Sequence, residues 1–177
     1  DPNKKYPLLV NFYERSSDGL HRHRIPRAER SSINYSFYTS RGYVIFNPDV
    51  AYRVGYPGES AYNCVIPGVT ALIEKGFIDK DNIGVQGHSW GGYESSFIVT
   101  QTDMFATVVT GAPLTNLISM NNILYKRSGN MNGPILEWSQ GRMGVSPWEN
   151  MELYRSQSPI HHAQNINTPF LILHGTA

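Results

Sequence analysis

The segment 83–98 constrains the fold most, because an apolar run there passes directly through a tight turn into a helical pattern. The run 83–86 reads IGVQ, and apolar side chains further along recur at helical spacing. Between them lie Gly87, Gly91 and Gly92, which leave room for a sharp reversal and for close packing of the helix. We therefore predict a strand, a turn and a helix in immediate succession.

Four further short apolar runs are spread along the chain and are bounded by Gly, Pro or Asn. With the first run included, the predicted strands are 8–13, 43–47, 83–86, 107–110 and 170–174. Their near-continuous apolar character is typical of strands that are covered on both faces, as in a parallel sheet. Because helical patterns lie between them, we predict one α/β domain over 1–177 with a doubly wound, mostly parallel sheet.

The helix before the central junction is predicted from a capping residue. Ser60 is the predicted N-cap of a helix that continues through Ile73, and 53–60 before it is Gly-rich and predicted as a loop. Pro67 falls inside the helical pattern, so we expect a kink there or a helix that starts late.

The second half of the chain contains shorter helical signals. We predict helical turns at 148–154 and at 159–165, the second capped by Ser158 with proline at its first position. The segment 128–146 is predicted as a loop, and its length favours an insertion over one face of the domain.

Ser89 lies at the centre of the glycine-flanked turn, in the sequence Gly-His-Ser-Trp-Gly. Such a turn holds a serine at the end of a strand, and the helix N-terminus beyond it favours developing negative charge. A serine hydroxyl is a weak nucleophile until a base takes its proton. We interpret Ser89 as a nucleophile, and the alternative is a glycine-rich turn with an incidental serine.

A base and an acid for this serine are not evident. Where such a turn carries the nucleophile, the acid and then the histidine follow it along the chain. The candidates after the serine are Asp103, His161, His162 and His174. The aspartate follows the predicted helix and is expected at the far end of the sheet, and the histidines lie at a helix start or a strand end. The sequence therefore shows no triad.

Composition excludes several classes of function. The 15 basic and 14 acidic residues give a net charge of +1, which favours neither nucleic acid nor anionic lipid, and no apolar run approaches a membrane span. Cys64 is the only cysteine, and neither histidine pair, at 21 and 23 or at 161 and 162, has further ligands at metal-binding spacing. Since no dinucleotide fingerprint occurs either, we predict no cofactor, no metal and no nucleic-acid partner.

The serine segment GHSWGGY at 87–93 resembles the motif of the prolyl oligopeptidase family of serine peptidases, with its dipeptidyl-peptidase-like and acylaminoacyl-peptidase-like members. Further segments similar to the family follow in its order: 5–10 (KYPLLV), 40–44 (SRGYV), 77–84 (FIDKDNIG), 158–160 (SPI) and 168–177 (TPFLILHGTA). The resemblance implies an α/β-hydrolase fold and hydrolysis of short peptides through an acyl-enzyme on Ser89.

The resemblance also implies an oxyanion hole. Its donors would be the backbone N–H of Trp90 and the hydroxyl of Tyr13, which lies at the end of the first predicted strand. The alternative for Tyr13 is an aromatic residue packed at a strand end. Many relatives have Gly-Gly after the tyrosine, whereas this chain has Glu14 and Arg15. We hypothesise that one of these two contacts a peptide terminus, and the alternative is an exposed salt bridge.

The pocket for a substrate side chain is expected between Trp90 and the segment 111–120. Leu114, Leu117 and Met120 would make this pocket apolar. The same three side chains could equally belong to the core.

The resemblance places the catalytic aspartate shortly after Ala177 and the catalytic histidine further along the chain. We therefore expect 1–177 to be a catalytic domain truncated at its C-terminus and inactive by itself, and the family's β-propeller to lie upstream. A sheet that lacks its last strand has an unpaired edge, from which we expect self-association.

Two alternatives to a peptidase remain. The same fold hosts carboxylesterases, and a hydrolase-like binding module could retain the serine without catalytic partners. The compartment, the residue preference and the choice between exopeptidase and endopeptidase are left open by the sequence.

Overall fold

The computed structural model describes residues 4–27 and 31–175, so Thr176 and Ala177 of the segment compared with the family lie outside it. Five strands form one sheet: β1 (Tyr6–Asn11), β2 (Val44–Phe46), β3 (Ile78–His88), β4 (Thr107–Gly111) and β5 (Phe170–Leu173). Their order is β2-β1-β3-β4-β5, and every neighbouring pair is parallel. The predicted α/β architecture with a parallel sheet is confirmed.

Helices alternate with these strands and also fill the connection between β4 and β5. They are α1 (Tyr35–Thr39), α2 (Pro57–Glu74), α3 (Trp90–Ile98), α4 (Leu117–Asn121), α5 (Gly133–Trp138) and α6 (Met151–Ser156), with 3-10 helices at Ser17–Gly19 and Pro159–Asn165. Among the described residues, no helix has both the length and the apolar character needed to cross a membrane.

A first hydrophobic cluster joins the sheet to α2 and α3. Alternate residues of the strands point into it, so that Leu8 of β1 pairs in register with Ile83 of β3, and Val85 of β3 with Val108 of β4. All four side chains are at most 1% exposed. Burial of apolar surface at this interface fixes the register of the central strands, since a slip of one residue would turn these side chains away from the helices.

A second hydrophobic cluster joins the start of α3 to the helices between β4 and β5. Its buried members are Trp90, Tyr93, Leu117, Leu136, Met143 and Tyr154. The cluster shows that the connection after β4 is a packed helical layer. The prediction of a loop over 128–146 is wrong in this respect, because α5 lies within it.

The start of α2 differs from the prediction. The helix begins at Pro57, so the last part of the predicted loop 53–60 is helical. Ser60 is not the N-cap, because its Oγ donates to the carbonyl of Tyr56 within the first turn and accepts from the N–H of Arg53. The helix does not start late, and it continues through Pro67 to Glu74, so that of the two expectations only a kink at Pro67 stays a prediction.

The late helical turns are confirmed with one correction. The turn predicted at 148–154 is α6, and the 3-10 helix Pro159–Asn165 has the predicted bounds. Ser158 does not cap that helix with its side chain, because its Oγ donates to the carbonyl of Tyr154 and accepts from the N–H of Leu117. Ser158 therefore links α6 to α4.

Candidate active site

Ser89 occupies the turn between β3, the central strand, and α3. Its backbone has φ 56° and ψ −113°, a left-handed conformation that a residue with a side chain rarely adopts. The turn is held by two backbone hydrogen bonds, from Ser89 N–H to the carbonyl of Gly111 at 2.7 Å and from Tyr93 N–H to the carbonyl of Ser89 at 2.9 Å. Strain of this kind persists only where surrounding contacts enforce it, and it is common at functional sites.

Two glycines make this turn sterically feasible. A Cβ on Gly87 would lie 2.0 Å from the carbonyl oxygen of Gly91, and a Cβ on Gly91 would lie 2.4 Å from the carbonyl oxygen of Phe12. Both contacts are with backbone, so no side chain could move away to relieve them. The predicted need for small residues beside the serine is confirmed, and the first turn of α3 lies directly against the end of β1.

The strand order brings the serine close to the end of the first strand. β1 and β3 are neighbours although β2 lies between them in sequence, and the chain winds outward from this pair in both directions. In open α/β sheets, ligands bind beyond the carboxyl ends of the strands at such a point. Ser89 follows β3 there, and Tyr13 follows β1 at the same edge of the sheet.

Among residues 4–27 and 31–175, no acceptor takes the proton of either predicted oxyanion donor. Trp90 is the first residue of α3, where a backbone N–H has no acceptor within the helix. The Tyr13 side chain is 42% exposed, and its hydroxyl oxygen accepts a hydrogen bond from Nε2 of Gln140 at 3.1 Å. Because Gln140 donates in that bond, the hydroxyl proton of Tyr13 can be donated elsewhere.

The two charged residues after Tyr13 form ion pairs. Arg15 pairs with Asp18 at 3.1 Å on the surface, which is the salt bridge considered as an alternative. Glu14 pairs with Arg142 at 2.9 Å, and both side chains are at least two-thirds buried. Contact of either residue with a peptide terminus stays a prediction.

The three predicted pocket residues do not share one environment. Leu117 is fully buried in the second cluster, so its side chain belongs to the core and does not line an open pocket. Leu114 and Met120 are half-buried against the same cluster. These two keep a partial surface that can take part in a pocket.

The residues considered as catalytic partners lie apart from one another. Asp103 precedes β4 at the opposite edge of the sheet, where it accepts from Asn167. His162 contacts the ring of Phe97, about 12 Å along α3 from the serine at the usual helical rise. His174 follows β5 at the same edge as Ser89, with its ring 3.0 Å from the carbonyl of Gly175. The structure thus assembles no triad among the described residues.

Sequence reasoning missed a buried polar group one turn beyond the serine. Glu94 of α3 is fully buried, and its Oε1 accepts a hydrogen bond from the hydroxyl of Tyr52. Its Oε2 has no hydrogen-bond partner among the described residues. The hydroxyl of Tyr52 also accepts from the indole Nε1 of Trp90 at 3.2 Å. The only signal in the sequence was an acidic residue within an otherwise small and apolar helical pattern.

Burial shifts the pKa values of this group. It raises the pKa of the Glu94 carboxyl well above the ordinary value, and the Glu14 carboxylate adds to the rise, while the Tyr52 hydrogen bond and Arg142 oppose it. Burial and the neighbouring Glu94 likewise raise the pKa of the Tyr52 and Tyr93 hydroxyls. The surroundings of Glu94 therefore favour the neutral acid and keep Tyr52 a hydrogen-bond donor.

The described residues contain no group of three or more His, Cys, Asp or Glu side chains arranged to hold a metal ion. Independently of metals, a serine on such a turn near two hydrogen-bond donors is an arrangement typical of nucleophilic attack on a carbonyl carbon.

A parallel α/β sheet with a serine on a strained turn between its central strand and a helix defines an α/β hydrolase. The model of the prolyl oligopeptidase family matches residues 50–177, and the chain belongs to this family. Family membership supports a hydrolase of the serine peptidase type.

Single proteins that the chain is similar to are also named as peptidases. The chain is 32% identical over 126 residues to the uncharacterized peptidase YuxL of Bacillus subtilis (strain 168). This alignment covers 71% of the chain and 18% of YuxL. It is 26% identical over 188 residues to the human prolyl endopeptidase FAP, with 100% of this chain and 23% of FAP covered. The chain thus spans about a fifth of the length of these relatives.

Solved structures confirm the α/β-hydrolase fold. Dipeptidyl peptidase 4 of Porphyromonas gingivalis superposes with a TM-score of 0.69 at 22% identity, over 100% of this chain and 24% of that one. The acylaminoacyl peptidase of Pyrococcus horikoshii gives a TM-score of 0.71 at 20% identity, over 98% of this chain and 28% of that one.

The contact between Gly87 and Gly91 predicts a large difference between two glycine substitutions. Gly87→Ala should lower the free energy of unfolding by about 1–3 kcal/mol or more, because its methyl group would overlap backbone. Gly19→Ala is the matched control, since nothing lies within 4 Å of its Cβ position, and a change within about 0.5 kcal/mol is expected. Urea denaturation measures both, and equal effects would contradict the described packing of the turn.

The raised pKa of Glu94 predicts that stability depends on pH through this residue. A carboxyl group whose pKa is higher in the folded than in the unfolded state stabilises the folded protein at pH values below its unfolded pKa of 4.5. This stabilisation is lost as the pH rises from 4.5 through the folded-state pKa. Glu94→Gln should therefore gain stability relative to the wild type with rising pH, by up to about 1.4 kcal/mol for each pH unit in that window.

The control for this prediction is Glu149→Gln. The Glu149 pKa is lowered, first by the backbone N–H of Ser146, so its contribution has the opposite sign and is lost as pH falls. Urea denaturation from about pH 3 to pH 7 measures both variants, with the Glu149 effect expected below about pH 4.5 and the Glu94 effect above it. A difference between Glu94→Gln and the wild type that stays constant with pH would contradict the raised pKa.

Proposed function

We propose that this chain supplies the nucleophile and the oxyanion hole of a serine peptidase that hydrolyses short peptides through an acyl-enzyme on Ser89. The observation that carries the proposal is the left-handed turn at Ser89, at the carboxyl end of the central strand and under the N-terminus of α3. Membership of the prolyl oligopeptidase family supports the choice of a peptide as substrate.

The proposed reaction has two steps. In the first, Oγ of Ser89 bonds to the carbonyl carbon of the peptide, the C–N bond breaks, and the amine leaves with the proton that the serine hydroxyl gave up. In the second, water adds to the resulting ester, which releases the carboxylic acid and restores the hydroxyl. A general base must carry the proton in both steps.

The oxyanion that forms in each step would lie between the two donors described above. The backbone N–H of Trp90 and the hydroxyl of Tyr13 supply hydrogen bonds that strengthen as negative charge develops on the substrate oxygen. Gln140 favours this role for Tyr13, because it occupies the oxygen lone pair and leaves the proton to be donated. The positive end of the α3 dipole adds to the stabilisation.

The substrate class can be tested with the natural protein that carries this sequence. Peptide 4-nitroanilides and short acyl 4-nitrophenyl esters are compared as substrates, with Ser89→Ala as the control. We expect hydrolysis of the anilides, and a loss on the order of 10⁶-fold in the control. Hydrolysis of esters alone would identify a carboxylesterase, and a folded protein that cleaves neither would identify a binding module.

The role of Tyr13 predicts a defined loss of rate. Tyr13→Phe should lower kcat on peptide anilides by about 10²–10³-fold, because removal of one oxyanion donor costs roughly 3–4 kcal/mol in the transition state. Tyr43→Phe is the matched control, since Tyr43 is 39% exposed and precedes β2 at the other edge of the sheet, and its kcat should be unchanged. A loss below about threefold would remove Tyr13 from the mechanism.

A further inference from the structure

Glu94 is the centre of a connected set of contacts that the proposed reaction does not use. A fully buried carboxyl group, one oxygen of which has no hydrogen-bond partner in the described part of the chain, costs free energy that an apolar side chain would not. The position therefore needs an explanation in terms of what Glu94 holds in place. Its direct partner is the hydroxyl of Tyr52, on the segment between β2 and α2.

Tyr52 joins three parts of the site. Its hydroxyl donates to Glu94 and accepts from the indole of Trp90, the residue whose backbone N–H is a proposed oxyanion donor. The guanidinium carbon of Arg142 lies 4.1 Å from the centre of its ring, in a cation–π contact. Because Tyr52 contacts both Trp90 and Arg142, the orientation that Glu94 gives to Tyr52 affects the positions of both side chains.

Residues 139–144 form the turn after α5, called here the 139–144 turn. Arg142 within it has a left-handed backbone with φ 51°, which is strained for a residue with a side chain. Its carbonyl accepts from the N–H of Gly55 at 2.7 Å. Its Nη1 donates to Oε1 of Glu14 at 2.9 Å and to the carbonyl of Gln140 at 2.6 Å. Contacts with two other segments, the one after β1 and the one between β2 and α2, therefore hold this turn.

The 139–144 turn also contacts Tyr13, whose hydroxyl is the second proposed oxyanion donor. Gln140 lies in this turn, and its Nε2 donates to the hydroxyl of Tyr13 at 3.1 Å. Tyr13 is 42% exposed, and this hydrogen bond from Gln140 restricts the position of its hydroxyl. From Glu94, contacts thus run through Tyr52 to Trp90 on one side and through Arg142 and Gln140 to Tyr13 on the other.

We propose that Glu94 is a positioning residue, which acts through Tyr52 to fix Trp90 and the 139–144 turn, and thereby the two oxyanion donors relative to Ser89. The catalytic consequence rests on the proposed function, whereas the positioning of the turn does not. Glu94 itself touches neither substrate nor the reacting atoms, because it is fully buried.

The first test measures the 139–144 turn directly by backbone amide hydrogen exchange. Four N–H groups of the turn donate hydrogen bonds: Gly141, Arg142, Met143 and Gly144. In Glu94→Leu and Tyr52→Phe, exchange of this segment should be about five- to tenfold faster, the effect of one lost hydrogen bond. Glu94→Gln keeps an acceptor for the Tyr52 hydroxyl, and exchange of this segment relative to the rest of the chain should stay within about twofold of the wild type.

The control for lost stability is Val69→Ala. Val69 is a fully buried member of the first cluster, so its truncation weakens the domain without removing a hydrogen bond of Tyr52 or Glu94. Relative to the rest of the chain, exchange at the 139–144 turn should be unchanged in this variant. Equal acceleration in Val69→Ala and Glu94→Leu, or no acceleration in Glu94→Leu, would overturn the positioning role.

The second test separates kcat from KM in the natural protein that carries this sequence. Glu94→Leu and Tyr52→Phe should lower kcat on peptide anilides about tenfold with KM within about twofold, because misplaced donors weaken the transition state and not substrate binding. Glu94→Gln should restore kcat. A KM effect alone, or a Gln variant as slow as the Leu variant, would overturn the catalytic consequence of the proposal.

The two tests distinguish the two claims. If Ser89→Ala causes no loss of hydrolysis, the proposed function is refuted. The exchange comparison of Glu94→Leu with Glu94→Gln then still decides whether Glu94 positions the 139–144 turn. A protein that depends on Ser89 but shows the same exchange and the same kcat in Glu94→Leu refutes the inference alone.

Discussion

The close approach of two backbones in the candidate site, that of α3 and that of the end of β1, is the constraint on which the rest of the structure depends. The first turn of α3 lies so near the end of β1 that a methyl group on Gly91 would overlap the carbonyl of Phe12. This approach places Ser89 in its left-handed turn and directs the free N–H of Trp90 to the carboxyl edge of the sheet. It also brings the residue after Phe12, which is Tyr13, to the same edge.

Two hydrophobic clusters, one at each end of α3, keep this helix packed against the end of β1. The first packs the later part of the helix, including Ile98, on the sheet, and the second packs Trp90 and Tyr93 against the helices between β4 and β5. All nine residues of α3 are buried as a result. Glu94 lies between the clusters, and its polar contacts connect the helix with the loops that surround the serine.

The strands and the serine turn could be predicted from the sequence, because each depends on local pattern. Five apolar runs bounded by Gly, Pro or Asn indicated the strand positions, and two glycines around Ser89 indicated the turn. The strand predicted at 83–86 is the interior of a longer one, β3 (Ile78–His88), because pairing with β1 and β4 extends it through residues that have little apolar character.

The polar contacts around the site could not be predicted, because they join residues far apart in sequence. Tyr52 and Glu94 are 42 positions apart, and Glu14 and Arg142 are 128 positions apart. No local pattern links such pairs. Leu117 shows the same limit, since spacing alone gave pocket and core equal standing and only the packing of α4 against α3 and α6 places it in the core.

The central claim is that Ser89 is the nucleophile, and covalent labelling tests it most directly. The natural protein that carries this sequence is treated with a fluorophosphonate, and its intact mass and peptide map are determined, with Ser89→Ala as the control. We predict a single adduct per chain, located on Ser89 and absent from the control. A folded protein that remains unlabelled, or one whose adduct lies on another residue, would contradict the claim.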